Sequence, residues 1–224
     1  MPKPAIQFTR FIFRTGLAGL IACSILGAAH LPDPTVDQNR SEKKSETTVF
    51  AGGCFWGVEA VFDAVKGVTE AVSGYAGGSK ANAHYELVST GTTGHAESVQ
   101  ITYDPSQISF GQLLKVYFSV AHDPTELNRQ GPDQGTQYRS EIFYTSEEQQ
   151  RIAEAYIQQL NAATVFRKPI VTKVAPLQAF YRAEEYHQHF VARNPRQPYV
   201  AQNDLPKLGK LLKELPELVK GGKP

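Results

Sequence analysis

Cysteine is scarce in this chain: its 224 residues hold two, Cys23 and Cys54. That excludes a disulfide-stapled scaffold and a four-thiolate zinc site. An excess of one charge is also missing. Lys and Arg number 23 against 22 Asp and Glu, for a net charge of +1, so nothing in the balance calls for nucleic acid. The sequence has no G-x-G-x-x-G, no P-loop and no G-x-S-x-G, so the dinucleotide, triphosphate and serine-hydrolase signatures find no support. It shows no internal repeat. No acid precedes Asp33, and the apolar run at residues 17–29 is too short for a comfortable membrane-spanning helix. What remains is ordinary: 41% apolar and 20% charged, enough for one domain with a core plus extensions.

The N-terminus departs from that average. Lys3, Arg10 and Arg14 precede the apolar run, the pattern of a secretory signal over residues 1–29. Three outcomes are open. Gly27-Ala28-Ala29 offers small residues for cleavage and soluble export. Leu20-Ile21-Ala22-Cys23 resembles a bacterial lipobox, which would leave Cys23 as a lipidated anchor. The third is an uncleaved anchor. Cleavage would take the net charge from +1 to −2, because three cations go with the segment, and would leave Cys54 as the one free thiol. The expected location is exported: periplasm or cell envelope. Residues 30–46, polar with two prolines, read as a flexible linker.

Structure is expected from Thr47. Residues 47–51 read as a short buried strand. Phe55, Val58, Phe62 and Val65 then recur at helical spacing up to Lys66-Gly67. Strands are expected at 70–73, 97–103, 139–145 and 170–174. Residues 73–79 (SGYAGGS) read as glycine-rich and poor in helix. Helices are expected at 110–121, after Ser146 with Glu148 and Gln149 behind it, at 184–193, and around Leu208, Leu211, Leu212 and Leu215. Strands and helices mix without strict βαβ alternation, which favours an α+β two-layer sandwich. No quaternary signal is visible, and a monomer is the default.

The stretch AGGCFWG (residues 51–57) carries the chemistry. Cys54 falls where the first strand passes into the first helix. A helix N-terminus stabilises an anion, so the thiol pKa is expected to be lowered and its reactivity raised. The plain alternative is a buried structural Cys. Phe55 and Trp56 are core aromatics or the wall of a pocket for a small apolar group, with Trp56 on the Cys side. Glu97 opens a strand after a glycine-rich turn. It is a solvated strand-end charge or, facing an aromatic pocket, a proton donor with a raised pKa. His95 is the competing proton carrier. Asp133 and Tyr138 enter another strand and either converge on the site or stay ordinary loop residues. Tyr85 carries no weight alone. His187 and His189 are two apart, the wrong spacing for a metal pair, so no metal is expected. His84, His95, His122, His187 and His189 keep a cysteine hydrolase open.

In order, the chain also reads GCFWGVE (53–59), GYAGG (74–78), GHAE (94–97), HDP (122–124), GTQYRS (135–140), AEEYHQ (183–188) and Asn194-Pro195. Seven motifs in register resemble peptide methionine sulfoxide reductase A, from Thr47 to Leu208. The resemblance implies an α+β two-layer fold with a mixed sheet over a catalytic domain at 47–208, followed by a C-terminal helix and tail at 209–224. It implies thiol-dependent reduction of the S epimer of methionine sulfoxide, free or in proteins, as repair of oxidised protein. By motif, Cys54 resembles the nucleophile and Glu97 the acid that protonates the sulfoxide oxygen. Phe55 and Trp56 resemble the methyl pocket, Tyr85 and Tyr138 the donors to that oxygen, and Asp133 a residue ordering the pocket and its water. No bound cofactor is implied, only an external reductant, thioredoxin-like or a small thiol.

Two features depart from the family pattern. Ala83-His84-Tyr85 stands where Pro-Thr-Tyr is common. Many members carry a resolving Cys after the Asn-Pro or at the position of Gly57, and here NPRQPYV (194–200) has none. Cys54 would then pass through a sulfenic acid that an external thiol reduces directly. The competing readings are a cysteine hydrolase or acyltransferase using Cys54 with His95, and an envelope domain without activity.

Overall fold

A computed structural model of the chain describes Met1, residues 30–39 and residues 44–221. The expected signal, with Cys23, lies outside them. Strand β1 (Glu46–Gly52) leads into helix α1 (Phe55–Asp63), followed by β2 (Val68–Ala76), a short α2 (Tyr85–Val88), β3 (Ala96–Tyr103) and α3 (Phe110–Val116). A two-stranded ribbon, β4 (Arg129–Gln130) with β5 (Asp133–Gln134), precedes β6 (Ser140–Tyr144) and α4 (Glu147–Ala162). Strands β7 (Lys173–Pro176) and β8 (Phe180–Arg182), then α5 (Phe190–Arg193) and α6 (Leu205–Glu214), complete the order.

The main sheet runs β7-β6-β1-β3-β2-β8. Its pairings are antiparallel except β6 with β7, so the sheet is mixed. In β1 the side chains alternate as a strand requires. Phe50, Val99 and Ile142 share one face and pack with α1, α3, α4 and α6 in the main core. Val49 and Ala51 face the other way, against Phe143, Leu177 and Phe180. This is the expected α+β two-layer arrangement, helices on one face of a mixed sheet.

Local chemistry explains most boundaries. Ser109 accepts from the Gln112 N–H while the Gln112 side chain accepts from the Ser109 N–H, a complete capping box for α3. Ser146 caps α4 through the Gln149 N–H, as its sequence suggests. The helix expected at 110–121 changes character after Val116. Residues Tyr117–Ala121 form a wider π-helical turn, which seats the Tyr117 hydroxyl 2.7 Å from the Ala51 carbonyl.

Four expectations are corrected. The strand expected at 70–73 runs longer, Val68–Ala76, and takes in part of SGYAGGS, which forms no helix, as expected. The strand expected at 170–174 sits at Lys173–Pro176. The helix expected at 184–193 breaks at His189, whose φ is 49°. There the Gln188 amide bonds both backbone groups of Ser73, and the His189 N–H turns onto the buried Glu59 carboxyl. These tertiary bonds replace the helical ones. Nor are residues 30–39 a flexible linker. The Tyr156 hydroxyl donates to Pro32, Gln159 bonds Thr35 and Asp33, and Asp37 accepts from Gly111 N–H. Leu31 and Val36 pack on the core.

The division expected at 208/209 falls inside α6, whose Leu211 is fully buried in the main core. The tail continues the packing: Lys66 N–H donates to Leu218 and Lys220 N–H to Ala64. Leu211→Ala should cost about 2–5 kcal/mol of unfolding free energy in a denaturant titration. A change below about 0.5 kcal/mol would mean that α6 is dispensable to the core.

Candidate active site

The turn from β1 into α1 needs glycine at one place. Gly53 has φ +88°, and a Cβ there would lie 2.6 Å from Gln130. The turn leaves Cys54 as the N-cap of α1, with the first helical N–H groups aimed past it. The Cys54 side chain accepts no capping hydrogen bond, and the Phe55 N–H donates to Glu97 Oε2 at 3.1 Å. Glu97 stands on β3, whose register sets it opposite Tyr75. The start of α1 therefore carries the sulfur at its N-cap and the Glu97 carboxyl on its first N–H.

Both groups lie out of water, Glu97 at 2% exposure and Cys54 at 8%. Burial, with a further push from Asp133, raises the Glu97 pKa to about 8 against the opposing Phe55 N–H. Glu97 is therefore a protonated acid at neutral pH. Cys54 departs from expectation. Burial, then the Glu97 and Asp204 carboxyls, drive its pKa well above the ordinary thiol value, and the Trp56 N–H and Lys207 only partly offset them. The sulfur does sit at the helix terminus, as the sequence suggests, but accepts no capping hydrogen bond there. The terminus does not outweigh the desolvation of an anion, so the resting group is the thiol.

A cavity of about 280 Å³ opens on the sulfur. Cys54, Phe55, Trp56, Tyr85, Glu97, Asp133 and Tyr138 all line it, so every residue that the family resemblance implies for the site converges there. Burial raises the pKa of both Tyr85 and Tyr138, which therefore keep their hydrogens. Trp56 stacks on Phe190 with ring centres 3.8 Å apart, and its Nε1–H donates to His187 Nδ1 at 3.1 Å. The His187 ring also meets Phe55 and Tyr85, and burial lowers its pKa, which keeps that nitrogen free to accept. Glu184 fixes the start of α2 by accepting from the Tyr85 N–H and the Tyr75 hydroxyl.

His95 is not in the site. Its Nδ1 accepts from the Gly78 N–H and its Nε2 meets the Ser79 carbonyl at 2.9 Å. Both nitrogens serve the backbone, and the Cys54–His95 pair that a hydrolase needs is not formed. No histidine lines the cavities described here that open on Cys54. His189 Nδ1 lies 2.9 Å from Asp63 Oδ2, beside Glu59, and lines neither cavity that opens on Cys54.

The sequence reading missed Gln197 and Tyr199, which complete the cavity. The Tyr199 hydroxyl bonds Asp133. It also missed His187 as the partner of Trp56. The only sequence signal was that Tyr199 and Gln197 closely follow the Asn194-Pro195 pair.

Fold and site define a cysteine enzyme of redox type: a sulfur beside a neutral carboxylic acid and an aromatic wall, without a histidine base. Residues 46–217 match the family model described as peptide methionine sulfoxide reductase. The chain is 60% identical over 174 residues to peptide methionine sulfoxide reductase MsrA 2 of Mesorhizobium japonicum, covering 78% of this chain and 89% of the relative. It is 53% identical over 193 residues to MsrA 2 of Synechocystis, covering 85% and 90%. The crystal structure of reduced Mxr1 from Saccharomyces cerevisiae superimposes with a TM-score of 0.64 at 32% identity, covering 75% of this chain and 94% of that one. Methionine sulfoxide reductase A of Corynebacterium diphtheriae gives 0.61 at 37%, covering 71% and 80%. The chain belongs to the peptide methionine sulfoxide reductase family, in its MsrA branch. It is an oxidoreductase acting on methionine sulfoxide with thiol as reductant.

Proposed function

We propose that Cys54 removes the oxygen of methionine S-sulfoxide, free or in proteins, and carries it as a sulfenic acid until an external thiol reduces it. The observation that carries this reading is the neutral Glu97 carboxyl, held by the first N–H of the helix that Cys54 caps and lining the same cavity as the sulfur. A sulfoxide oxygen accepts hydrogen bonds well but leaves poorly until protonated. Glu97 supplies that proton, with Tyr85 and Tyr138 as further donors. Cys54 Sγ bonds to the substrate sulfur as Glu97 protonates the oxygen; the hydroxyl then passes to Cys54 as the S–O and S–S bonds break, Glu97 regains a proton from the Cys54 thiol, and methionine departs with the sulfur's lone pair restored. A resting thiol suits this sequence, because it gives up its proton only when an acceptor is bound.

The pocket also supports a choice of one epimer. The sulfoxide sulfur is pyramidal. With its methyl against Phe55 and Trp56 and its oxygen at Glu97, one direction remains for the rest of the substrate. The other epimer would set its oxygen against the aromatic wall, at the cost of an unpaired polar atom. The signal-like residues 1–29 support action on envelope or secreted proteins, and a thioredoxin-like protein is the reductant proposed.

Each epimer with dithiothreitol tests this. The S form should turn over and the R form should not. Reduction of neither, or turnover that survives alkylation of Cys54, would overturn the reading.

A further inference from the structure

Cys54 opens on a second, smaller cavity of about 180 Å³. Asp133 and Tyr199 line both spaces, so their hydrogen-bonded pair forms the wall between them. The first cavity holds the acid and the tyrosine hydroxyls. The second holds Gln130, Gln202, Asn203 and Lys207, and Lys207 is the one cation lining either. Lys207 is 17% exposed, with its Nζ 3.7 Å from Asp204 Oδ1. Asp204 is fully buried, and neither of its oxygens has a hydrogen-bond partner. A Cβ on Gly57 would collide with Asp204 Oδ1 and lie 2.8 Å from Lys207 Nζ. The pair thus fills the space into which a side chain at position 57 would point.

This arrangement suits the step that the substrate cavity leaves unexplained. A sulfenic acid is reduced by a thiolate that attacks sulfur while the S–O bond breaks, so the thiolate must come from another side than the oxygen. The oxygen lies with Glu97 in the first cavity. The second cavity reaches the same sulfur from beyond the Asp133–Tyr199 wall. An ordinary thiol is mostly protonated at pH 7 and gains thiolate character beside a cation.

We propose that the second cavity is the entry for the reducing thiol, and that Lys207, tethered by Asp204, is the positioning residue that receives it as thiolate. This rests on the sulfenic acid reading above. The incoming sulfur bonds to Cys54 Sγ, and the sulfenic hydroxyl leaves with the thiol's hydrogen as water. A second thiol then breaks that mixed disulfide, releasing an oxidised disulfide and the Cys54 thiol. The thiols are oxidised and Cys54 is reduced.

The test separates the half-reactions in the full chain. Methionine formed in one turnover without reductant gives the first. Loss of the sulfenic acid on adding dithiothreitol or thioredoxin gives the second. Lys207→Met should slow the second at least about tenfold more than the first, the effect of one pKa unit on the thiolate fraction. Lys207→Arg should restore most of it, and Gln202→Trp, at the exposed rim, should slow the second step with both reductants. Equal slowing of both half-reactions by Lys207→Met, or slowing with thioredoxin alone, would overturn the proposal: Lys207 would then be merely structural or a protein-docking charge. Wild-type protein that forms no methionine would instead strike at the sulfenic acid reading.

Discussion

Cys54→Ser should form no methionine above background, a loss of roughly 10⁴-fold or more. The substitution changes one atom in a position that tolerates it. Cys54 is the N-cap of α1, where Ser is a preferred residue, so the helix should start as before. What disappears is the nucleophile. An alcohol cannot ionise in this buried place when even the thiol is held protonated, and oxygen is a poor attacker of sulfur. Binding should survive, because the walls of the cavity are untouched. Trp56 lines that cavity and is the chain's one tryptophan, so its fluorescence reports binding directly. A Cys54→Ser variant that binds sulfoxide normally and yields no product fits. One that retains a tenth of the activity would remove Cys54 from the chemistry.

Glu97→Gln should lower kcat/KM by about 10²–10⁴ at pH 7, the usual range for a lost general acid. The amide oxygen can still accept the Phe55 N–H, so the local structure is kept and only the proton is lost. The pH profile separates a donor from a spacer. Glu97 titrates at about 8, so wild-type activity should fall as pH rises through that value and the acid is lost. In the variant that descending limb should vanish, and the residual rate should climb with pH as more thiolate forms. Stability should follow the same group. The native protein keeps a proton that an unfolded chain, with Glu near 4.5, gives up. Wild-type stability therefore falls as pH rises from about 4.5 through 8, and the Glu97→Gln variant should lack this component. An unchanged profile would place the donor elsewhere.

Much of the site was legible because its parts are local. Gly53, Cys54, Phe55 and Trp56 are consecutive, and a strand running into a helix fixes what each can do. Glu97 and Tyr138 stand at the entries of β3 and β6, where glycine-rich turns precede them, and the family motifs supplied their roles. The illegible parts depend on distant partners. The Cys54 pKa turned on burial and on Asp204, far along the chain, which no helix-terminus argument contains. Tyr199, His187 and Lys207 enter from the far end of the chain, and spacing rules for histidine pairs gave no hint that His187 accepts from Trp56. The strap at residues 30–39 reads as linker because its prolines and acids look solvated. Its partners Tyr156, Gln159 and Gly111 are set only by packing. Likewise the break at His189 needs the buried Glu59 carboxyl, a tertiary cause for a local kink.

The whole mechanism can be put to one measurement. Full-length protein is mixed with methionine S-sulfoxide labelled at its oxygen, without reductant, and the products are read by mass spectrometry. One methionine should form per Cys54, with the labelled oxygen on Cys54 and nowhere else. Methionine released with the label in water, or no methionine until reductant is added, would contradict oxygen transfer to Cys54.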